Sequence, residues 1–137
     1  MKSKFALFLV MVLSLPILVT QTAHAEADQT IRADIPFDFY AGRQQMPAGT
    51  YDFKLDSGSG NVQITDEARH GMFLLGTDND GNRASNPSLV FDHLGDGYFL
   101  RTIETSGGNI TFSVKNAEKR LALNASASEV VVAANLR

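Results

Sequence analysis

The densest group of potential metal ligands in this sequence is the acidic stretch Asp78-Asn79-Asp80-Gly81-Asn82. Oxygen-bearing side chains that alternate around a glycine turn are how calcium-binding loops gather their ligands. If the two aspartates take the third and fifth positions of such a loop, the glycine falls correctly at the sixth. Gly76 then stands at the first position, however, and Pro87 at the twelfth, where a bidentate glutamate is needed. The spacing therefore favours a solvated turn over a calcium site, and we predict no metal site.

Two histidines, His70 and His93, could act as metal ligands or as an acid–base pair, because imidazole titrates near neutral pH. They are well separated in the sequence, and Asp92 is the one carboxylate directly beside either of them. Neither has a neighbouring histidine or cysteine with which to form a metal-ligand motif. We therefore interpret both as structural or surface residues.

The usual sequence signals of nucleophilic catalysis are missing, since the chain has no cysteine and no Gly-x-Ser-x-Gly motif. No glycine-rich phosphate loop opens a helix. A pair of acids, as in glycoside hydrolases, is defined by separation in space and stays open at this stage. Asp38, Asp52 and Glu104 are the acids on predicted strands that could form one. Solvated, outward-facing carboxylates are the simpler interpretation, and we predict no catalytic and no cofactor-binding residue.

Three tyrosines are candidates for contact with a carbohydrate or a protein, because tyrosine has an apolar ring and a polar tip. Tyr40 falls on the outward face of its predicted strand. Tyr51 and Tyr98 fit the core or its rim equally well, so the sequence leaves their role open.

The elements that must position these residues begin with residues 31–55, which contain two stretches of alternating apolar and polar side chains. This alternation predicts two half-buried β-strands, and the glycines and proline between them mark a loop. We expect the apolar side chains of both strands to enter one core with those of later strands. The predicted core set is Ile35, Phe37, Phe39, Tyr51, Phe53, Val62, Ile64, Phe73, Phe91, Leu100, Ile110 and Phe112.

Further strands are predicted along the chain, including a hairpin formed by residues 88–94 and 98–105 around Gly95-Asp96-Gly97. The apolar run 72–75 is continuous rather than alternating, which predicts burial on both faces. Residues 115–123 are the only stretch with helical spacing, and we expect at most one short helix there. The predicted fold class is all-β, an antiparallel β-sandwich or small barrel of seven to eight strands.

The N-terminus has the pattern of a secretory signal peptide, with Lys2 and Lys4, an apolar run over 5–19 and the small-x-small sequence Ala23-His24-Ala25. We predict that residues 1–25 are a signal peptide and that residues 26–137 form a single β-rich domain. Retention of the leader as an N-terminal anchor is the alternative. An exported chain without cysteine has no disulfide bonds, which favours a bacterial periplasm or the surrounding medium.

The charge balance disfavours two classes of partner. The chain has 12 Lys and Arg residues against 15 Asp and Glu residues, a net charge of −3. Loss of the leader removes two lysines and makes the balance more acidic. Nucleic acids and anionic membrane surfaces both attract clustered basic residues, so we expect neither as a partner. No segment after the leader is apolar over the roughly 20 residues of a membrane span.

The sequence Pro36-Phe37-Asp38-Phe39-Tyr40-Ala41-Gly42, followed by Met46-Pro47-Ala48-Gly49-Thr50-Tyr51, resembles a group of small exported bacterial β-rich proteins. Their N-terminal pattern is PF-x-F…G…(L/M)PAG-x-Y. Residues 89–100 look like the second hairpin of the same group. The resemblance implies an exported β-domain, and it implies no catalytic residue.

Together these features predict an exported, non-enzymatic β-domain that binds a partner or has a structural role at the cell envelope. The expected partner is a protein or a glycan. The alternative is a small secreted hydrolase that uses strand-borne carboxylates. These two functions differ in whether Asp38, Asp52 or Glu104 converges in a pocket.

Overall fold

A computed structural model describes residues 28–56, 58–79, 83–113 and 127–137. Twelve strands lie within these ranges, in the order β1 (Gln29–Ile35), β2 (Phe39–Ala41), β3 (Gln44–Met46), β4 (Gly49–Asp56), β5 (Asn61–Asp66), β6 (Gly71–Leu75), β7 (Thr77–Asn79), β8 (Ser88–Leu94), β9 (Gly97–Thr105), β10 (Gly108–Thr111), β11 (Ser128–Ala133) and β12 (Asn135–Leu136). The first sheet has the order β12-β1-β4-β5-β6. The second has the order β11-β8-β9-β10-β7, with the β2–β3 hairpin attached to β9.

The predicted all-β fold class is confirmed. Strands make up 68% of the described residues, none of these residues is helical, and the curled sheets form a half-barrel. The described residues contain more strands than the seven or eight predicted, because one predicted strand is divided and three short strands, β3, β7 and β12, were not predicted. The divided strand is the first, which breaks after Ile35, where Pro36 has no N–H to donate to the sheet. The predicted helix at 115–123 lies outside the described residues.

Within the described residues, the chain passes from one sheet to the other at four points. Residues 36–38 connect β1 to β2, residues 47–48 connect β3 to β4, Gly76 connects β6 to β7, and Ala134 connects β11 to β12. Gly76 lies tightly against the core, since a Cβ there would stand 2.5 Å from Ile110 Cγ2 and 2.9 Å from a ring carbon of Phe112. Only glycine fits this crossing without displacing its neighbours.

The core lies between the two sheets, as the alternation predicts. The ring of Phe39 packs edge-to-face against Tyr51 of the first sheet and Phe91 of the second, with centroids 5.4 and 5.5 Å away. All of the predicted core residues are buried except Phe37 and Phe73. Phe37 is half-buried and packs against the cluster from its edge.

The prediction that residues 72–75 are buried on both faces is wrong. In β6 the side chains of Met72 and Leu74 pack against the core, whereas Phe73 is 75% exposed and Leu75 71% exposed. The reason is that the antiparallel first sheet covers the core with one face only, so alternate side chains of β6 lie on its outer face. A continuous apolar run therefore places two large side chains on the surface.

Candidate functional site

A cleft of about 290 Å³ opens between β3, the start of β4 and the turn that joins β5 to β6. We call it the β3–β6 cleft. Its walls combine apolar, amide, carboxylate and imidazole groups. They consist of Gln44, Gln45, Met46, Pro47, Tyr51, Asp66, His70, Gly71 and Met72.

Strand register explains why side chains from distant parts of the sequence meet in this cleft. Tyr51 of β4 lies opposite Asp66 of β5, and Ile64 of β5 lies opposite Met72 of β6. Side chains two residues apart on a strand share a face, so Asp66 lies on the same inner face as buried Ile64. The inward-facing ends of β4, β5 and β6 thereby form one wall.

The turn between β5 and β6 is held by hydrogen bonds between Asp66 and His70. The His70 amide donates to Asp66 Oδ1 at 2.7 Å, and His70 Nδ1 lies 3.0 Å from Oδ2 of the same carboxylate. The backbone closes the turn as well, because the Asp66 amide donates to the His70 carbonyl at 3.0 Å. These bonds to His70, its amide first, lower the pKa of Asp66. Asp66 is therefore an anionic acceptor for the imidazole of His70, whose side chain is 84% exposed.

Tyr51 contributes its ring to the cleft. Its hydroxyl donates a 2.7 Å hydrogen bond to the Pro47 carbonyl, within the loop from β3 to β4. Burial raises the pKa of Tyr51, and the charges of Asp66 and Asp38 add to the shift. The phenol thus stays protonated and engaged with the backbone. The sequence leaves open whether Tyr51 belongs to the core or to its rim. In the structure Tyr51 is buried in the core and also lines the cleft.

The other histidine has different surroundings. His93 lies on β8 and stacks on Tyr98 of β9 with ring centroids 4.4 Å apart. Tyr98 in turn stacks on Phe37 at 3.9 Å. His70 belongs to a turn of the first sheet, so the structure gives the two histidines separate partners on separate sheets. Tyr98 accordingly belongs to the rim of the core.

The three candidate acids lie apart and each has a structural partner. Asp38 accepts a 2.8 Å hydrogen bond from the Ala48 amide, next to the loop between β3 and β4. Glu104 alternates with buried residues of β9, so it lies on the outer face of the second sheet, where it accepts a 2.8 Å hydrogen bond from Ser88 Oγ. Asp52 lies on the outer face of the first sheet. The core therefore separates Asp52 from Glu104.

Asp52 is the most strongly paired of these acids. Arg32 on the neighbouring strand β1 donates two hydrogen bonds to its carboxylate, at 2.7 and 3.0 Å, and Arg137 contacts the same group. The hydrogen bond from Arg32 lowers the pKa of Asp52 against a smaller opposing effect of burial. A general acid in a hydrolase requires a shift in the opposite direction.

The acidic stretch 78–82 is described only in part. Asp78 and Asn79 belong to β7, and Asp78 Oδ2 accepts a hydrogen bond from the Gly58 amide at 3.4 Å. Asp80, Gly81 and Asn82 lie outside the described residues. Among the residues that the structure does describe, no three His, Cys, Asp or Glu side chains form a group able to hold a metal ion.

Sequence reasoning missed the exposed face of β6 and the methionines of the cleft. Tyr40, by contrast, faces outward as predicted, and its ring stacks on Phe99 of β9 at 5.0 Å. The one local link within the cleft is that His70 of the turn and Met72 of β6 are close in sequence. The contribution of Met46 depends on tertiary structure.

Comparisons of the chain with models of protein families, with curated proteins and with solved structures gave no match. The fold and the geometry of the surface are therefore the basis for a functional proposal. Within the described ranges, no helix is long and apolar enough to cross a membrane.

Proposed function

We propose that this chain is an exported, non-enzymatic β-domain that binds a protein partner at the cell envelope. The observation that carries the proposal is the edge strand β6, with Phe73 and Leu75 exposed on its outer face. Large apolar side chains that lie together on a surface are typical of interaction sites. The partner would be an extended segment that pairs with β6 and extends the first sheet.

The backbone of β6 is suited to such pairing. Among the described residues it pairs with β5 alone, so its second edge carries N–H and C=O groups that can accept another strand. Natural edge strands are commonly protected by lysine, proline or a bulge. The sequence Gly71-Met72-Phe73-Leu74-Leu75 contains no proline and no charge, and its register with β5 is regular. The strand thus lacks these protective features.

The outer face of the first sheet beside β6 favours a partner strand that has an apolar side chain at every second residue. Phe73 lies opposite Gln63 and Leu75 lies opposite Asn61, so each apolar side chain borders a polar amide of β5. An added strand would place every second side chain over this outer face. Apolar residues at those positions would cover Phe73 and Leu75, and the backbone hydrogen bonds would supply affinity that does not depend on sequence.

Export is supported by the signal-peptide pattern of residues 1–25 and by the resemblance to exported bacterial β-rich proteins. The hydrolase alternative receives less support, since Asp38, Asp52 and Glu104 do not share a pocket and Asp52 has a lowered pKa. Binding is therefore the function that the geometry favours.

Site-specific photo-crosslinking in the producing cell tests this proposal. A photoreactive residue replaces Phe73 or Leu75 in turn, and Val131 is the matched control because it is an apolar residue, 58% exposed, on the edge strand β11. We expect one and the same protein to be crosslinked from positions 73 and 75 and not from 131. Equal labelling from all three positions would contradict a specific site.

Hydrogen exchange then tests the mode of binding. The partner identified by crosslinking is purified and added to this chain, and it should slow amide exchange in β6. Phe73→Lys should abolish this protection because it places a charge on the paired edge. Binding without protection of β6, including binding of a glycan elsewhere on the surface, would exclude pairing with this strand.

A further inference from the structure

The methionines of this chain are few, and two of them meet in one place. The sequence has four methionines, of which Met1 and Met11 belong to the predicted leader. The remaining two, Met46 and Met72, come from different sheets, and both line the β3–β6 cleft. His70 lines the same cleft. Both methionines outside the leader therefore line the same cleft as one of the two histidines outside it.

We propose that the β3–β6 cleft is a binding site for copper(I), with the thioethers of Met46 and Met72 and the imidazole of His70 as ligands. Thioether sulfur is a soft ligand that selects copper(I) over hard cations, and imidazole binds copper well. Hard cations require several oxygen ligands. The cleft has a single carboxylate, Asp66, and its oxygens are engaged with His70.

The bond from His70 to Asp66 prepares the imidazole for this role. Histidines that bind metals commonly donate their second ring N–H to a carboxylate, which fixes the tautomer and the orientation of the ring. His70 Nδ1 lies 3.0 Å from Asp66 Oδ2. In the neutral tautomer that donates from Nδ1 to this carboxylate, the free lone pair is on Nε2. Asp66 is itself held by the His70 amide at 2.7 Å, and it acts as a positioning residue.

The two methionines can adjust to an ion because their side chains have three rotatable bonds. Met46 is almost wholly buried, Met72 is half-buried, and both pack against the core. The cleft of about 290 Å³ leaves room for these side chains to close on an ion. Methionine also suits an exported chain, because it forms no disulfide in an oxidising compartment.

The proposed copper(I) site and the proposed binding surface on β6 depend on different side chains. An experiment can therefore refute one of these proposals without refuting the other. Met72 faces the core side of β6, whereas Phe73 and Leu75 face outward. Phe73→Lys should therefore leave copper(I) binding unchanged. Conversely, loss of the methionines should leave the crosslinks from position 73 unchanged.

Titration of the chain from residue 26 to 137 with copper(I) tests the site, under anaerobic conditions and in competition with a chromogenic copper(I) chelator. We expect one ion per chain. Met46→Leu, Met72→Leu and His70→Gln should each weaken binding by at least about tenfold, because each removes one ligand. His93→Gln is the matched control and should leave the affinity unchanged. Unchanged affinity in the Met46→Leu/Met72→Leu double variant would overturn the proposal.

Nuclear magnetic resonance observes the methionine methyl groups directly, so it separates metal binding from a change in stability. The chain from residue 26 has two methionine methyl groups, and silver(I) is a redox-inert substitute for copper(I). Both methyl signals should shift together and stop shifting at one equivalent of silver(I). Signals that do not move, or that move only at large excess, would exclude a thioether site. Leucine has nearly the volume of methionine, so the variants are expected to fold.

Discussion

Replacing Phe53 by alanine is the most direct test of the core between the two sheets. Phe53 is fully buried on β4, the central strand of the first sheet. Transfer of such a ring from water contributes about 1.5–3 kcal/mol, and the cavity left by its loss adds to that. We expect Phe53→Ala to lower the free energy of unfolding by about 3–5 kcal/mol. This is a large part of the roughly 5–15 kcal/mol that stabilises a typical domain.

Two other phenylalanines provide matched controls for the same substitution. Phe37 is half-buried and stacks on Tyr98, so Phe37→Ala should cost less, about 1–3 kcal/mol, of which the aromatic pair contributes about 0.5–1.5 kcal/mol. Phe73 is 75% exposed, and Phe73→Ala should change stability by no more than about 0.5 kcal/mol. The predicted order of destabilisation is Phe53, then Phe37, then Phe73.

Urea denaturation measures this order. The slope of the free energy of unfolding against urea concentration should be the same for all variants, which checks that their unfolded states are comparable. A loss below about 1 kcal/mol for Phe53→Ala would refute its burial. So would a loss for Phe73→Ala equal to that for Phe53→Ala. If Phe53→Ala does not fold at all, Phe53→Leu retains most of the volume and should cost less than about 1.5 kcal/mol.

Three further predictions concern other parts of the molecule. Gly76→Ala should destabilise by about 1–3 kcal/mol because the new Cβ meets core side chains, whereas Gly107→Ala meets only ordinary contacts and should be near neutral in the same urea experiment. Asp52→Asn should lower stability at pH 7 by about 0.5–1 kcal/mol. The lowered pKa of Asp52 means that this contribution is present above about pH 4 and is lost as the pH falls through the folded-state pKa; the variant and the parent should therefore converge in acid denaturation, and a constant difference down to pH 2 would contradict the role of the charge. Mass spectrometry of the protein recovered outside the cytoplasm should show an N-terminus at Glu26, while an intact Met1 on protein held in the inner membrane would support an anchor.

The candidate sites show where sequence reasoning reaches its limit. Two side chains of the cleft, His70 of the turn and Met72 of β6, are close in sequence, so their proximity needs no long-range contact. Met46 comes from a hairpin of the other sheet, and its approach depends on the passage of the chain between sheets. The separation of Asp52 from Glu104 depends in the same way on which sheet each strand joins. No local pattern contains that information.

Local sequence determined the all-β class, the hairpin around Gly95-Asp96-Gly97 and the inner face of β4 and β5, because a period of two follows from the geometry of a single strand. Tertiary structure alone decided which side chains of the run from Met72 to Leu75 are buried and which are exposed. In local terms, an apolar run is compatible with a strand buried on both faces and with a strand buried on one face. The packing of the two sheets around the core, which depends on contacts between residues far apart in the chain, gives the first sheet one buried face and one outer face. The exposure of Phe73 and Leu75 follows from their place on the outer face.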